Sequence, residues 1–188
     1  EPPFKYWLPL LAIFTGARLN ELCQLYLDDV VEVDGIPCIC IQNSRSDQRL
    51  KNKESHRLIP LHSSLLEFGL LNYVGKLKAK GANRLFPELR FQQKRGYSAL
   101  PSKWYAKFKR QRLTDSLVQS KDFHSFRHTV ADCFKQRGLS EALAAAILGH
   151  RVGGITYHRY GKDFPPEALL EAVEAIEWSL EGVVAFEF

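Results

Sequence analysis

The chain predicts an α+β fold, mostly helical, with one small antiparallel three-stranded sheet. Apolar residues recur at helical spacing along most of the chain, whereas β-branched runs with a tight turn between them occur in one stretch only. With 188 residues, 45% of them hydrophobic and 25% charged, the chain is long enough to bury one sizeable core.

The elements follow in order. Leu8, Leu11, Ala12 and Thr15 mark a first helix, which Gly16 stops. Leu19, Leu22, Cys23 and Tyr26 recur at i, i+3, i+4 and i+7 in a second, with Arg18 where it begins. The stretch VVEVDGIPCICIQ reads as a hairpin, because Asp34 and Gly35 accept the positive φ angles of a tight turn. HRLIPL is a third strand, which makes residues 45–55 a basic connection between strands. Further helices are expected over 65–80, 102–113, 126–137, 141–148 and 167–178. Residues 81–99 read as the longest loop, 163–166 as a hinge, and VVAFEF as a strand-like end. There is no internal repeat and no low-complexity linker.

Composition narrows the class. No apolar run approaches a membrane span, and no charged leader precedes an apolar stretch. The absence of methionine reads as a fragment of a longer protein. Cys23, Cys38, Cys40 and Cys133 are too few and too irregular for a disulfide framework or a paired C-x-x-C zinc site, so reduced, cytoplasmic thiols are expected. The net charge of +5 is asymmetric: residues 163–188 hold seven acidic residues and no basic ones, leaving 26 basic against 14 acidic before them. Basic residues concentrate over 45–57 and 90–112, the latter interleaved with Phe91, Tyr97, Trp104, Tyr105 and Phe108. That pattern suits a polyanion whose counterions are released on contact, and nucleic acid is the leading partner. Within it, Arg45, Arg49, Lys53, Lys94, Arg95, Lys103 and Lys107 are candidate DNA contacts. A solvated lysine-rich face is the competing account.

Four short segments carry chemistry: TGARLNEL at 15–22, HSFR at 124–127, LGH at 148–150, and Tyr160. Together they supply two guanidiniums, two imidazoles and a phenol, a set suited to a phosphodiester. His124 and Arg127, three apart on a helix, are expected to share a face opposite the apolar stripe of Phe126, Val130, Cys133 and Phe134. A guanidinium matches two phosphate oxygens with a planar fork. His124 and His128 have a zinc-binding spacing, but no H-E-x-x-H pattern accompanies it and no metal is expected. A helix-turn-helix over 129–150 is also readable. Its second helix, EALAAAIL, offers almost nothing to read a base edge and suits core packing, with Gly149 ending it and His150 just beyond.

On these residues the chain resembles the catalytic domain of a tyrosine recombinase, the phage-integrase family. Thr15, Gly16, Arg18 and Glu21 fit the T-G-x-R-x-x-E element, and H-x-x-R, L-G-H and a late tyrosine follow in order. KNKESHRLIP is similar to the family's K-T-x-x-S-x-R-x-x-P when Lys51 leads it, with Lys53 the runner-up. Tyr160, ten residues beyond His150, fits the family's nucleophile better than Tyr157, which is seven beyond. The resemblance covers residues 8–162. It implies the breaking-rejoining catalytic fold without the family's amino-terminal core-binding domain, and metal-independent, cofactor-free transesterification of DNA.

In that chemistry the Tyr160 oxygen attacks a backbone phosphorus, releases a 5′-hydroxyl and leaves a 3′-phosphotyrosyl link. Arg18 and Arg127 balance the phosphate charge, Lys51 is the general acid, His124 assists at the tyrosine and His150 bonds the phosphate. Double-stranded attachment sites of a mobile element such as a prophage, self-association into a tetramer on DNA, and no membrane are the implied partners. The acidic tail, with Leu169, Leu170, Val173, Ile176 and Leu180 as its apolar stripe, docks in cis or on a neighbouring protomer. A type IB topoisomerase shares the chemistry, and a non-catalytic DNA-binding regulator shares the basic surface.

Overall fold

The computed structural model describes residues 1–52, 55–150 and 164–186. The chain runs α1 (Phe4–Thr15), α2 (Leu19–Cys23), a 3₁₀ turn (Leu27–Asp29), β1 (Val30–Val33), β2 (Ile36–Ile41) and β3 (Arg57–Pro60), followed, among the described residues, by helices only. These are α3 (Ser63–Glu67), α4 (Leu70–Ala79), α5 (Ala99–Arg112), α6 (Asp115–Ser120), α7 (Ser125–Gln136), α8 (Glu141–Leu148) and α9 (Pro166–Glu174). The sheet is antiparallel in the order β1-β2-β3. Asp34 (φ 51°) and Gly35 (φ 77°) make its first turn, which sets Val33 opposite Ile36. The expected α+β class and hairpin are both present.

α1 is the spine of the core. Trp7, Leu8, Leu11, Ala12 and Phe14 are all buried, and α7 packs along the helix through Val130 and Phe134. Each such Leu or Phe stabilises the fold by roughly 1.5–3 kcal/mol through apolar burial. α9 lays Leu169, Ala172 and Val173 on the core beside β3. After it, the Trp178 indole donates to the Ile13 carbonyl at 3.1 Å, and Phe186 sits among Tyr6, Trp7 and Tyr73 with ring centroids 5.0, 5.7 and 5.5 Å away.

Several boundaries differ from the expectation, each for a physical reason. Tyr26 leaves α2 in an extended conformation because its N–H donates to Asp29 Oδ2 (2.8 Å) and its backbone bridges Arg84. The helix expected over 65–80 is two helices, parted at Gly69 in the left-handed region (φ 88°). The last helix stops before Trp178, where the Ile176 carbonyl is bonded by the His62 ring at 2.9 Å. Residues 183–186 form no strand. α6 has no buried residue and hence no apolar stripe to announce it; the Lys109 ammonium closes its end by donating to the carbonyls of Val118 and Lys121.

Candidate active site

Arg18 is the N-cap of α2 and is fixed from both ends of one carboxylate. Its N–H donates to Glu21 Oε2 (2.9 Å) and its Nη1 to Glu21 Oε1 (2.6 Å), as the i, i+3 spacing of the two residues allows. Nη1 also donates to Ser55 Oγ (3.1 Å), and Nη2 reaches the Gly149 carbonyl at 3.5 Å. Glu21 is 3% exposed. Burial pushes its carboxyl up, but the charge and hydrogen bond of Arg57 and the bonds of Arg18 outweigh this and hold it below the usual range. Arg57 donates to Glu21 Oε2 at 2.9 Å.

Arg127 arrives from α7. The structure corrects the expected face: with Val130 and Phe134 at i+3 and i+7, Arg127 lies in the buried stripe, 2% exposed, while His124 is exposed at the helix N-cap. The local reason is Gly16. That residue is left-handed (φ 60°), and a Cβ there would lie 2.4 Å from Leu148 Cδ2 and 3.3 Å from Val130 Cγ1, so only glycine lets the end of α1 approach α7 and α8 so closely. Its carbonyl accepts from Arg127 Nη1 at 2.9 Å. Thr15 Oγ1 secures the turn by donating to the Leu11 carbonyl (2.5 Å) and accepting from Ala17 N–H (3.1 Å). Gly16→Ala is therefore expected to destabilise the chain by about 1–3 kcal/mol, read as a lower Tm in thermal denaturation.

The other guanidinium nitrogen, Arg127 Nη2, is buried with no hydrogen-bond partner among the described residues. Burial, then the charges of Arg18 and Arg57, pull the Arg127 pKa down to about 10. An arginine so placed has an unmet donor and an uncompensated charge, and both are satisfied by an anion.

His150 follows the left-handed Gly149 (φ 69°) that caps α8, whose Ala145, Ile147 and Leu148 are buried as the core-packing reading expects. Burial, then the positive charges of Arg127, Arg18, Arg57 and His124, lower the His150 pKa. His124 is lowered by burial, then by His128 and Arg127, against Asp122. The two imidazoles and the arginines thus share one positive field. Both histidines titrate below the unfolded value of about 6.5, so the unfolded chain binds more protons in that window and stability falls as pH drops through it. The fall in Tm between pH 7.5 and 5.5 is expected to be smaller in a His124→Gln, His150→Gln double variant than in the wild type. The rings of His124 and His128 lie 4.8 Å apart, and among the described residues no group of three metal-ligating side chains accompanies them.

The remaining predicted residues divide. Lys51 is exposed beside Asn52, whose Oδ1 accepts from Ser55 Oγ (2.6 Å) while that hydroxyl accepts from Arg18, so Asn52 and Ser55 are held beside the arginines. Lys53, Tyr157 and Tyr160 lie outside the described residues. Arg49, Lys94 and Arg95 line one shallow hollow of about 560 Å³ together with Asn20 of α2; Arg95 and Lys103 line a second of about 540 Å³ on α5. Lys107 is exposed one turn beyond Lys103. Arg45 stands apart, stacked 4.0 Å over the Tyr26 ring and paired with Asp28 at 3.1 Å. Sequence reasoning did not pick out Arg57 and Ser55 as site residues. The available signals were the S and R of the K-T-x-x-S-x-R-x-x-P pattern, which fall on Ser55 and Arg57, and an arginine in phase with the inward Ile59 on β3, which a strand buries only if it is paired.

Searches of curated proteins and of solved structures gave no significant match. Residues 5–165, in contrast, match the family described as "Phage integrase family", a span that holds every motif of the site. The chain belongs to the phage integrase family, the tyrosine recombinases, whose role is DNA recombination and integration.

Proposed function

We propose that this domain cleaves and rejoins DNA strands at specific sites, without metal or nucleotide, through a 3′-phosphotyrosyl intermediate. The observation that carries the reading is Arg127 Nη2, which has no partner among the described residues and is buried beside Arg18, within the field of His124 and His150. Two fixed guanidiniums can balance the charge that accumulates on the non-bridging oxygens as a phosphorus is attacked, the part that a metal ion plays in other phosphoryl transfers.

Tyr160 is the proposed nucleophile. Its phenol, with an ordinary pKa near 10, needs its proton removed as the bond to phosphorus forms, and His124 is the base in this reading. Lys51 donates a proton to the departing 5′-oxygen, and His150 donates to a phosphate oxygen. The ester to Tyr160 keeps the energy of the broken bond, so a different 5′-hydroxyl reverses the attack and completes strand exchange. The hollows lined by Arg49, Lys94, Arg95 and Lys103 begin two residues from Arg18, at Asn20, and supply a basic track for the duplex leading to the reacting phosphate.

The test is covalent capture. A pool of nicked duplexes of randomised sequence is incubated with the chain, and DNA that stays attached to protein in detergent is recovered and sequenced. A specific sequence joined at its 3′ end to Tyr160 is the expected outcome. Recovery of no adduct, or of one lacking sequence preference, would reject site-specific cleavage.

A further inference from the structure

We propose that Arg57 is a positioning residue, a buried bracket that holds Arg18, the Lys51 loop and the end of α8 in one register around the reacting phosphate. The proposal rests on the strand-cleavage reading above. Arg57 is 7% exposed and each of its three guanidinium nitrogens is already bonded within the protein, so it acts through its partners.

Its guanidinium bonds three separate pieces of the site. Nε donates to the Ile147 carbonyl in the last turn of α8 (2.6 Å), three residues before His150. Nη1 donates to the Ser55 carbonyl (2.7 Å) at the base of the loop that carries Lys51. Nη2 donates to Glu21 Oε2 (2.9 Å), the carboxylate whose other oxygen holds Arg18. Every one of these bonds leaves the side chain in a different direction, and Arg57 is 7% exposed.

The neighbouring residues are fitted around the bracket. A Cβ on Gly149 would lie 2.9 Å from Arg57 Nη1, so the residue that caps α8 must be glycine for the fork to seat. Ser55 offers its carbonyl to Arg57 and its hydroxyl to both Arg18 and Asn52, which joins the two arginines through one residue. Glu21 sits between both guanidiniums, 2.6 Å from one and 2.9 Å from the other. A lysine ammonium keeps the charge opposite Glu21, but it lacks the planar, fixed fork that reaches three acceptors at once.

That difference separates positioning from charge balance. Arg57→Lys is expected to form the Tyr160 adduct on the order of 10- to 100-fold more slowly under single-turnover conditions, on the nicked duplex recovered above at saturating concentration. Its Kd for the same duplex is expected to stay within about threefold, because Arg57 makes no phosphate contact. Wild-type speed in Arg57→Lys would overturn the proposal, since charge alone would then suffice. Slowing matched by an equal loss of DNA binding would also overturn it, as a merely structural role. Should Arg57→Lys not fold, as read by circular dichroism, Gly149→Ala carries the test by pressing a methyl group on Nη1. Slower adduct formation at unchanged Kd is expected, and wild-type speed overturns the bracket. Absence of any adduct from the wild-type chain is a different failure: it rejects the cleavage reading itself.

Discussion

Tyr160→Phe is expected to abolish covalent capture altogether while leaving DNA affinity close to that of the wild type. The substitution removes one oxygen and keeps the ring, so packing changes little. Without that oxygen, no other group in this scheme can form an ester with the phosphorus. Affinity survives because it comes from many phosphate contacts, among them those offered by Arg49, Lys94, Arg95 and Lys103, and not from a phenol. Gel shift in parallel with denaturing electrophoresis on the same nicked duplex reads both quantities at once. An adduct formed by Tyr160→Phe would reject the assignment. Loss of adduct in Tyr157→Phe with retention in Tyr160→Phe would move the nucleophile by three residues and keep the chemistry.

How much of this site could be read without a structure depended on whether each residue acts through its neighbours in sequence or in space. Gly16, Asp34–Gly35 and Gly149 were legible because a left-handed backbone leaves a compositional trace at the position where it is needed. Arg18 and Glu21 are three apart, so their contact is nearly a local one. The α8 helix was legible because seven of its eight residues, in EALAAAIL, are apolar, which leaves Glu141 alone with a side chain able to read a base edge.

Arg127 was misjudged for the opposite reason. Helical spacing permits either face, and an arginine is ordinarily assigned to solvent; only the approach of Gly16 to Val130 explains why this one is inside. Arg57 is the extreme case: the KNKESHRLIP pattern joins it only to Ser55, two residues away, while its other partners, Ile147 and Glu21, lie 90 and 36 residues off. The boundary of α2 was lost to the local bond at Asp29 and the bridge to Arg84, and that of α9 to the distant bond from His62, none of which intrinsic propensity foresees.

Arg127→Ala is expected to slow cleavage about 100- to 1000-fold, the magnitude seen when one preorganised donor to a developing oxyanion is removed, with DNA affinity changed only a few-fold. The more telling variant is Arg127→Met, which fills most of the same volume. In the free chain Arg127 holds a buried charge beside two other arginines, one of its nitrogens has no partner among the described residues, and its pKa is down at about 10. Replacing a buried charge by a packed apolar side chain is commonly neutral or stabilising. Arg127→Met is therefore expected to melt no lower than the wild type at low salt, although it loses the 2.9 Å bond to the Gly16 carbonyl. Inorganic phosphate should then raise the Tm of the wild type more than that of Arg127→Met, since only the former gains a bound anion in the folded state. A large drop in Tm for Arg127→Met at low salt, with no difference in its response to phosphate, would mark Arg127 as a structural arginine and remove the central support for an anion site.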